Sequence, residues 1–328
     1  MDASLRQVDG VAAERPFVFD RGSGTLTGAG VIDRAAVLAL RAGSVITRPY
    51  GHRGYRFGCK AVATVVADRD IVVRLNDDAD FAFPFCDGYW SRLLNRIYDY
   101  EKEIEAFLRS TADLTYSFVD CGANFGYWSV LASSAPFGGQ PTLAIEASRE
   151  NSKRVARNAH LNGDRFRWLN AAVGKASGGF ARITGARHEA LGTLALARYE
   201  PQAVPIVSLD GLAADGFFDP ALPVVIKLDV EGVEIDALAG AEGLLRRDCV
   251  VICEEHGLDR SHGITRHLID GLSLRVFVFD PELGRFIRLD GVARLDQIKK
   301  HAWVGYNVFA TSSALWEERI LAATGRGG

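Results

Sequence analysis

Apolar runs and amphipathic stretches alternate along most of the chain after residue 116. Five short apolar runs have the character of buried strands, and they lie at 116–120, 142–146, 166–170, 224–229 and 250–254. Stretches with helical periodicity separate them, at 127–134, 149–162 and 234–246. Buried strands that alternate with helices predict a Rossmann-like α/β fold with a doubly wound, mostly parallel sheet.

The chain before residue 89 lacks this alternation. We predict a small β-rich N-terminal region at 1–88 and a single α/β domain at 89–328. In the first region we expect strands at 61–67, 70–75 and 81–85 and a short helix at 33–40. In the second we expect a long helix at 89–109, a hairpin within 174–208, a hairpin of 274–280 with 285–289, and a last strand at 306–311.

Composition excludes several classes of protein. The 328 residues are 48% apolar and 24% charged, with a formal net charge of −3. There is no basic excess for nucleic acid, no contiguous Lys/Arg block for a membrane, and no apolar run that would span a bilayer. Five cysteines without a CxxC pair predict buried free thiols, and residues 1–20 do not resemble a secretory signal. We therefore predict a cytoplasmic protein with no nucleic-acid partner and no membrane insertion, and leave homo-oligomerisation open.

The segment 118–126, FVDCGANFG, combines an apolar strand, an acid and closely spaced small residues. Gly122 and Gly126 allow backbone to approach a ligand, and the helix that follows offers free N–H groups. Asp120 at the strand end would repel a phosphate, so the ligand should carry a cationic or hydroxyl-rich group. S-adenosylmethionine carries both.

Polar residues end each predicted parallel strand. They are Asp120, Glu146, Asn170, Asp229 and Glu254, the last followed by Glu255 and His256. Ligands of open α/β sheets bind at the carboxyl ends of the strands, so this set predicts a shared cleft. Glu146 lies at the spacing from the glycine loop that suits an acceptor for both ribose hydroxyls. The alternative is that these acids only cap the helices that follow them.

Two blocks resemble a known family. The segment 118–129, FVDCGANFGYWS, resembles the first motif of class I S-adenosylmethionine-dependent methyltransferases, and 226–234, IKLDVEGVE, resembles the KxDVEGxE signature of the FkbM family. Segments 150–162, 170–174, 207–210 and 253–256 are similar to other parts of that family, so the resemblance covers about 89–311. The second strand departs from the family pattern, because Glu146 is followed by alanine where proline is usual.

The resemblance implies O-methyl transfer from S-adenosylmethionine to a hydroxyl of a sugar, glycan or natural product. The donor would be bound by Asp120, Gly122, Ala123, Asn124, Gly126, Glu146, Ala172 and Asp229. Transfer from a sulfonium is an in-line displacement, and a base that takes the hydroxyl proton accelerates it by roughly 10²–10⁴-fold.

His256 is the first candidate for that base, because a histidine titrates near neutrality, and Asp229 and Glu231 are the next candidates. We predict no metal site, since nothing in the spacing of Asp229, Glu231 and Glu254 demands Mg²⁺.

Two other functions stay open from the residues. One is a non-catalytic nucleotide-binding scaffold, which the intact acids at the strand ends disfavour. The other is a nucleotide-sugar or NAD-dependent enzyme, which the loop disfavours because it does not read GxGxxG.

Overall fold

The computed structural model describes residues 16–188, 190–196, 202–219, 221–255, 259–299 and 305–324. The chain divides into two compact units, Met1–Arg74 with Ala82–Arg96, and Leu75–Phe81 with Ile97–Gly328. All five cysteines are buried free thiols, as predicted. Within the described ranges, no helix is long and apolar enough to cross a membrane.

The first unit combines a small sheet with two helices. Its strands are β1 (Phe17–Asp20), β2 (Leu26–Thr27), β3 (Asp70–Asn76) and β4 (Ala79–Pro84), and its helices are α1 (Val31–Thr47) and α2 (Tyr55–Ala63), with 3-10 turns at Arg48–Tyr50 and Trp90–Leu94. The last residues of β3 and the first of β4 are counted with the second unit. The strand order is β2-β1-β3-β4, with β1 parallel to β3.

Three expectations for the N-terminal part of the chain need correction. The run 61–67 is not a strand, because α2 continues to Ala63 and a turn follows. The described part of the region is therefore a mixture of helix and strand rather than mainly β. The helix expected at 89–109 is two pieces, the 3-10 turn Trp90–Leu94 and a later helix that starts at Lys102.

The second unit contains the larger sheet. Its strands are β5 (Ser117–Cys121), β6 (Thr142–Ile145), β7 (Arg167–Leu169), β8 (Ala172–Val173), β9 (Phe180–Arg187), β10 (Ala190–Leu196), β11 (Val204–Val207), β12 (Val224–Leu228), β13 (Cys249–Glu255), β14 (Arg275–Asp280), β15 (Arg285–Arg288) and β16 (Tyr306–Thr311). Its helices are α3 (Lys102–Ser110), α4 (Tyr127–Ala132), α5 (Arg149–Leu161), α6 (Leu209–Ala214), α7 (Glu234–Ala239), α8 (Glu242–Leu245), α9 (Gly263–Arg266), α10 (Ala293–Ile298) and α11 (Ala314–Ala322), with a 3-10 turn at Ala135–Phe137 and a π-helical turn at His267–Gly271.

Eight strands form the main sheet in the order β15-β14-β16-β13-β12-β5-β6-β7. The neighbours from β13 to β7 are parallel, and β14, β15 and β16 are antiparallel. The predicted doubly wound sheet and both predicted hairpins are confirmed, since β9 also pairs antiparallel with β10. Apolar side chains such as Val119, Ile226 and Val251 are fully buried, because helices cover both faces of a parallel sheet.

The order of the strands reverses beside β5. The chain runs from β5 outward to β6 and β7, and then returns to place β12 on the other side of β5. In the register of these strands Lys227 lies beside Asp120, and Glu254 lies beside Asn307. The carboxyl ends of β5, β6, β12 and β13 therefore meet at one edge of the sheet, where open α/β sheets bind ligands.

Candidate active site

The glycine loop turns sharply between β5 and α4. Gly122, Asn124 and Gly126 all have left-handed backbone, with φ of 75°, 54° and 84°. A Cβ on Gly122 would lie 1.8 Å from the carbonyl oxygen of Asp229. The first requirement for glycine at 122 is therefore the close approach of the backbone that follows β12, rather than the approach of a ligand.

Asp120 is a buried acid, and only one of its two carboxyl oxygens accepts a hydrogen bond. Its Oδ2 accepts a hydrogen bond of 2.7 Å from Ser129 Oγ, whereas its buried Oδ1 has no hydrogen-bond partner. Burial raises the pKa of Asp120, and the charge of Lys227 and the Ser129 bond oppose that rise. An unsatisfied buried acceptor is costly, so this oxygen suits a hydrogen-bond donor supplied by a ligand.

Glu146 connects the ends of two elements. Its carboxylate accepts from the backbone N–H of Asn124 at 2.8 Å and of Ser148 at 2.7 Å. Burial raises the pKa of Glu146 to about 7, although both N–H groups lower it. The same carboxylate therefore fixes the glycine loop and begins the turn into α5, while its remaining lone pairs are available to hydroxyl groups.

Lys227 stands among several acids. It is 3% exposed, and its Nζ lies 3.0 Å from Asp229 Oδ2. Burial opposes its charge, but Asp229, Glu101 and Asp120 together outweigh burial and raise the pKa of Lys227. Burial and the neighbouring Asp229 raise the pKa of Glu254 well above its ordinary value, and these two carboxyl groups share a hydrogen bond. Both causes favour the protonated form of Glu254.

Residues that the strand-end rule misses complete this cluster. Glu101 accepts from Trp128 Nε1 at 2.5 Å and from Asn307 Nδ2 at 3.0 Å. Asn307 also donates to Glu103, and its own Oδ1 is buried without a partner. Glu101 precedes a helix and has a left-handed φ of 44°, so no strand pattern marks it.

The β9–β10 hairpin also reaches the glycine loop. The carbonyl oxygen of His188 accepts from Asn124 Nδ2 at 2.7 Å and from Asn151 Nδ2 at 2.9 Å. The His188 ring stacks on the Phe125 ring, with 4.6 Å between the ring centroids. No sequence pattern marks His188, because it lies in the irregular stretch between β8 and β11.

The structure brings most of the predicted site residues together. Those at the edge beside β5 are Asp120, Gly122, Ala123, Asn124, Gly126, Glu146 and Asp229. Ala172 lies instead in β8, whose partner β11 belongs to a smaller sheet of order β10-β9-β11-β8, and it packs in a cluster that includes Ala147. Glu231 follows Asp229 in a turn, with φ of 54°. His256 lies outside the described residues.

The cluster does not form a metal centre in the part of the chain described. No group of three or more His, Cys, Asp or Glu side chains there is arranged to hold a metal ion. The positive charge at the centre of the acids is supplied by Lys227.

Residues 120–276 match the family model described as the methyltransferase FkbM domain. This segment is a methyltransferase FkbM domain. It includes the glycine loop, the 226–234 signature and Glu254, so the resemblance found in the sequence is confirmed over 120–276. Comparison with curated proteins gave no match.

Solved structures with similar folds include methyltransferases of several kinds. The methyltransferase FkbM from Methylobacillus flagellatus KT is 16% identical over 60% of this chain and 43% of that chain, with a TM-score of 0.38. A precorrin-6y C5,15-methyltransferase from Geobacter metallireducens GS-15 is 13% identical over 64% and 87%, with a TM-score of 0.36. An rRNA methylase from Streptococcus thermophilus is 10% identical over 65% and 98%, with a TM-score of 0.35. The chain thus spans less than half of the length of the first of these, and all three TM-scores are low.

The FkbM domain implies S-adenosylmethionine as the methyl donor, and the site fits such a molecule. Asp120 offers a buried unpaired acceptor, and Glu146 offers a carboxylate beside the glycine loop. Acceptors of this kind suit the ammonium, sulfonium and hydroxyl groups of the donor, whereas a pyrophosphate would meet negative charge.

Proposed function

We propose that this methyltransferase domain transfers the methyl group of S-adenosylmethionine to a hydroxyl oxygen of a sugar, glycan or natural product. The observation that carries the proposal is the Asp229–Glu254 pair beside the donor loop, anchored by Lys227. A hydroxyl is a weak nucleophile, and a carboxylate held at the reaction site can take its proton.

Donor binding is assigned to the edge formed by β5 and β6. Asp120 Oδ1 would accept from the donor ammonium, and Glu146 would accept from the ribose hydroxyls. Asn124, whose N–H bonds Glu146 and whose amide bonds His188, would hold the loop in the conformation that the donor requires. The donor supplies an electrophilic methyl group, and these residues fix its position.

Asp229 is the described residue best placed to act as the base. Lys227 fixes its Oδ2 at 3.0 Å, directly after β12 and beside the glycine loop. In the transfer the acceptor O–H bond breaks, a carbon–oxygen bond forms, and the donor leaves as the neutral thioether. Asp229 receives the proton of the hydroxyl. His256 and Glu231 remain the alternative bases predicted from the sequence.

A turnover assay with three variants tests the proposal. The purified protein is incubated with S-adenosylmethionine and panels of hydroxyl and amine acceptors, and product mass identifies the methylated atom. We expect Asp229→Asn to lower kcat by about 10²–10⁴-fold while S-adenosylhomocysteine affinity changes little. Asp236→Asn, an exposed acid on α7, is the matched control and should retain full turnover.

Two results would contradict the proposal. Methylation of amines but not of hydroxyls would show that the acceptor atom is nitrogen. Binding of S-adenosylmethionine without turnover on any acceptor would favour a non-catalytic nucleotide-binding scaffold. Wild-type kcat in Asp229→Asn together with its loss in His256→Ala would move the base to His256.

A further inference from the structure

Helix α1 carries a repeated pattern that the methyl-transfer site does not use. An apolar residue followed three positions later by arginine occurs three times at seven-residue intervals: Val31 with Arg34, Leu38 with Arg41, and Val45 with Arg48. Seven residues are close to two helical turns, so like residues line up along the helix about 10 Å apart. The helix therefore has an apolar line with a basic line beside it.

The apolar line faces outward. Val31 is 85%, Leu38 is 62% and Val45 is 49% exposed, and the small residues Ala35 and Ala42 that lie between them along the helix are exposed too. Helix α2, which packs against α1, adds Phe57 at 78%. Of the fourteen large apolar side chains that are exposed in the described residues, eight lie between positions 31 and 65. A patch this concentrated indicates a surface that is covered by something else.

Positive charge surrounds the patch. Residues 31–67 contain six Lys or Arg and a single acid, Asp33, in a chain whose net charge is −3. Asp33 is buried and forms an ion pair with Arg69, so it does not neutralise the surface. Arg34 is steadied by the carbonyl oxygen of Leu26, whereas Arg48 and Lys60 are exposed. The patch therefore presents apolar side chains together with the exposed cations Arg48 and Lys60.

We propose that the exposed faces of α1 and α2, here called the α1–α2 face, dock onto an anionic lipid bilayer. Apolar side chains of an interfacial helix enter the boundary of the acyl chains, and flanking cations meet anionic headgroups. A second copy of the chain fits less well, because a two-fold contact would place like charges opposite each other with no surface acid in this segment to pair them. The docking goes beyond the sequence-based prediction of no membrane insertion, because it places the α1–α2 face on the bilayer surface; no helix among the described residues is long and apolar enough to cross a membrane.

Flotation of the full chain with vesicles tests the proposal. We expect binding to phosphatidylcholine vesicles that contain phosphatidylglycerol, little binding to pure phosphatidylcholine, and loss of binding as salt increases. The double variant Arg48→Glu with Lys60→Glu should weaken binding by at least about 10-fold, since each cation near such a surface counts for about 5-fold. Leu38→Ser with Phe57→Ser should weaken it similarly.

Matched variants separate this surface from general charge and hydrophobicity. Leu283→Ser removes another exposed leucine, and Arg247→Glu reverses another exposed arginine; both should bind vesicles like the wild type. Equal loss in these controls, or equal binding to neutral vesicles, would overturn the proposal. A concentration-dependent dimer in sedimentation velocity that Leu38→Ser abolishes, without vesicle binding, would assign the α1–α2 face to self-association instead.

Discussion

At the scale of single residues, the acids of the site differ in what holds them. Asp120 has Ser129 on one oxygen and nothing on the other, whereas Glu146 has a backbone N–H on each oxygen. Asp229 is paired with Lys227 and bonded to Glu254. Each acid was readable as the last residue of a predicted strand, but its partners depend on tertiary structure. Glu101 accepts hydrogen bonds from Trp128 and Asn307. The sequence did not mark it as a site residue, because it ends no predicted strand and lies in no recognised motif.

Replacement of Glu146 by glutamine should change how stability depends on pH. The pKa of Glu146 in the folded protein is about 7, above its ordinary value of 4.5, so the folded state binds this proton more tightly than the unfolded state. The contribution is fully present below pH 4.5 and is lost as the pH rises to 7. We expect the free energy of unfolding of the wild type to fall across this interval, relative to Glu146→Gln, by up to about 3 kcal/mol.

Urea unfolding at several pH values from 4 to 8 measures that difference, in steps of about one unit. Glu150→Gln is the matched control, because Glu150 is an exposed acid nearby whose pKa lies below its ordinary value. If the wild type and Glu146→Gln show the same dependence on pH, Glu146 is not protonated in the way proposed.

At the scale of elements, the sequence predicts buried strands well and interrupted helices badly. Strands β5, β12 and β13 are mostly apolar and are buried on both faces, which leaves little ambiguity in a parallel sheet. The helix expected at 234–246 is broken at Gly240, where a Cβ would lie 2.2 Å from the carbonyl oxygen of Gly174. The helical spacing of apolar residues runs through Gly240 without a break. That spacing carries no information about the contact with Gly174, which is distant in sequence.

The helix expected at 89–109 failed for a related reason. Asn95 has extended backbone with ψ of 112° and Glu101 has left-handed backbone, so the chain is not helical between the two pieces. The apolar residues of both pieces nevertheless have the spacing of a single helix. The run at 61–67 looked like a strand because it is rich in valine, but α2 buries Tyr55 and Cys59, and tertiary packing overrides local propensity.

Substitution of Gly122 by alanine should disrupt the junction of β5 and β12. The new Cβ would lie 1.8 Å from the carbonyl oxygen of Asp229, at a residue whose φ is 75°. Because that neighbour is backbone, the strand end itself must move, and we expect a loss of at least about 3 kcal/mol in the free energy of unfolding. Gly163→Ala is the matched control, with φ of 69° and nothing within 4 Å, and it should lose only about 1 kcal/mol. Chemical denaturation of both variants decides the matter, since equal losses would mean that backbone conformation alone explains the glycine.

At the scale of the whole molecule, the residues of the candidate methyltransferase site lie within the second unit and the α1–α2 face lies within the first. The sequence drew attention to the candidate site because most of its predicted residues lie in two motifs, 118–129 and 226–234. It missed the second surface because the six cations are spread over 37 positions and form no block. Only the exposure of Leu38 and Phe57 in the folded chain distinguishes that surface from an ordinary helical pair.

Binding of S-adenosylhomocysteine should stabilise the second unit, because a ligand that binds only the folded state shifts unfolding by mass action. At a ligand concentration of about 100 times Kd the gain is about 2.7 kcal/mol, which corresponds to roughly 5–10 °C in Tm for a unit of this size. NAD should give no shift, because the site has acids where a pyrophosphate would lie.

Asp120→Asn keeps a group that can bond Ser129 but removes the charge that faces the donor ammonium. At the same ligand concentration its shift should be about half that of the wild type if Kd rises about 10-fold. Without ligand the variant should be no less stable than the wild type, because burial and the unsatisfied Oδ1 make the charge of Asp120 costly in the free protein. Scanning calorimetry with both ligands reports all of these quantities, and a shift in Asp120→Asn equal to that of the wild type would remove Asp120 from donor binding.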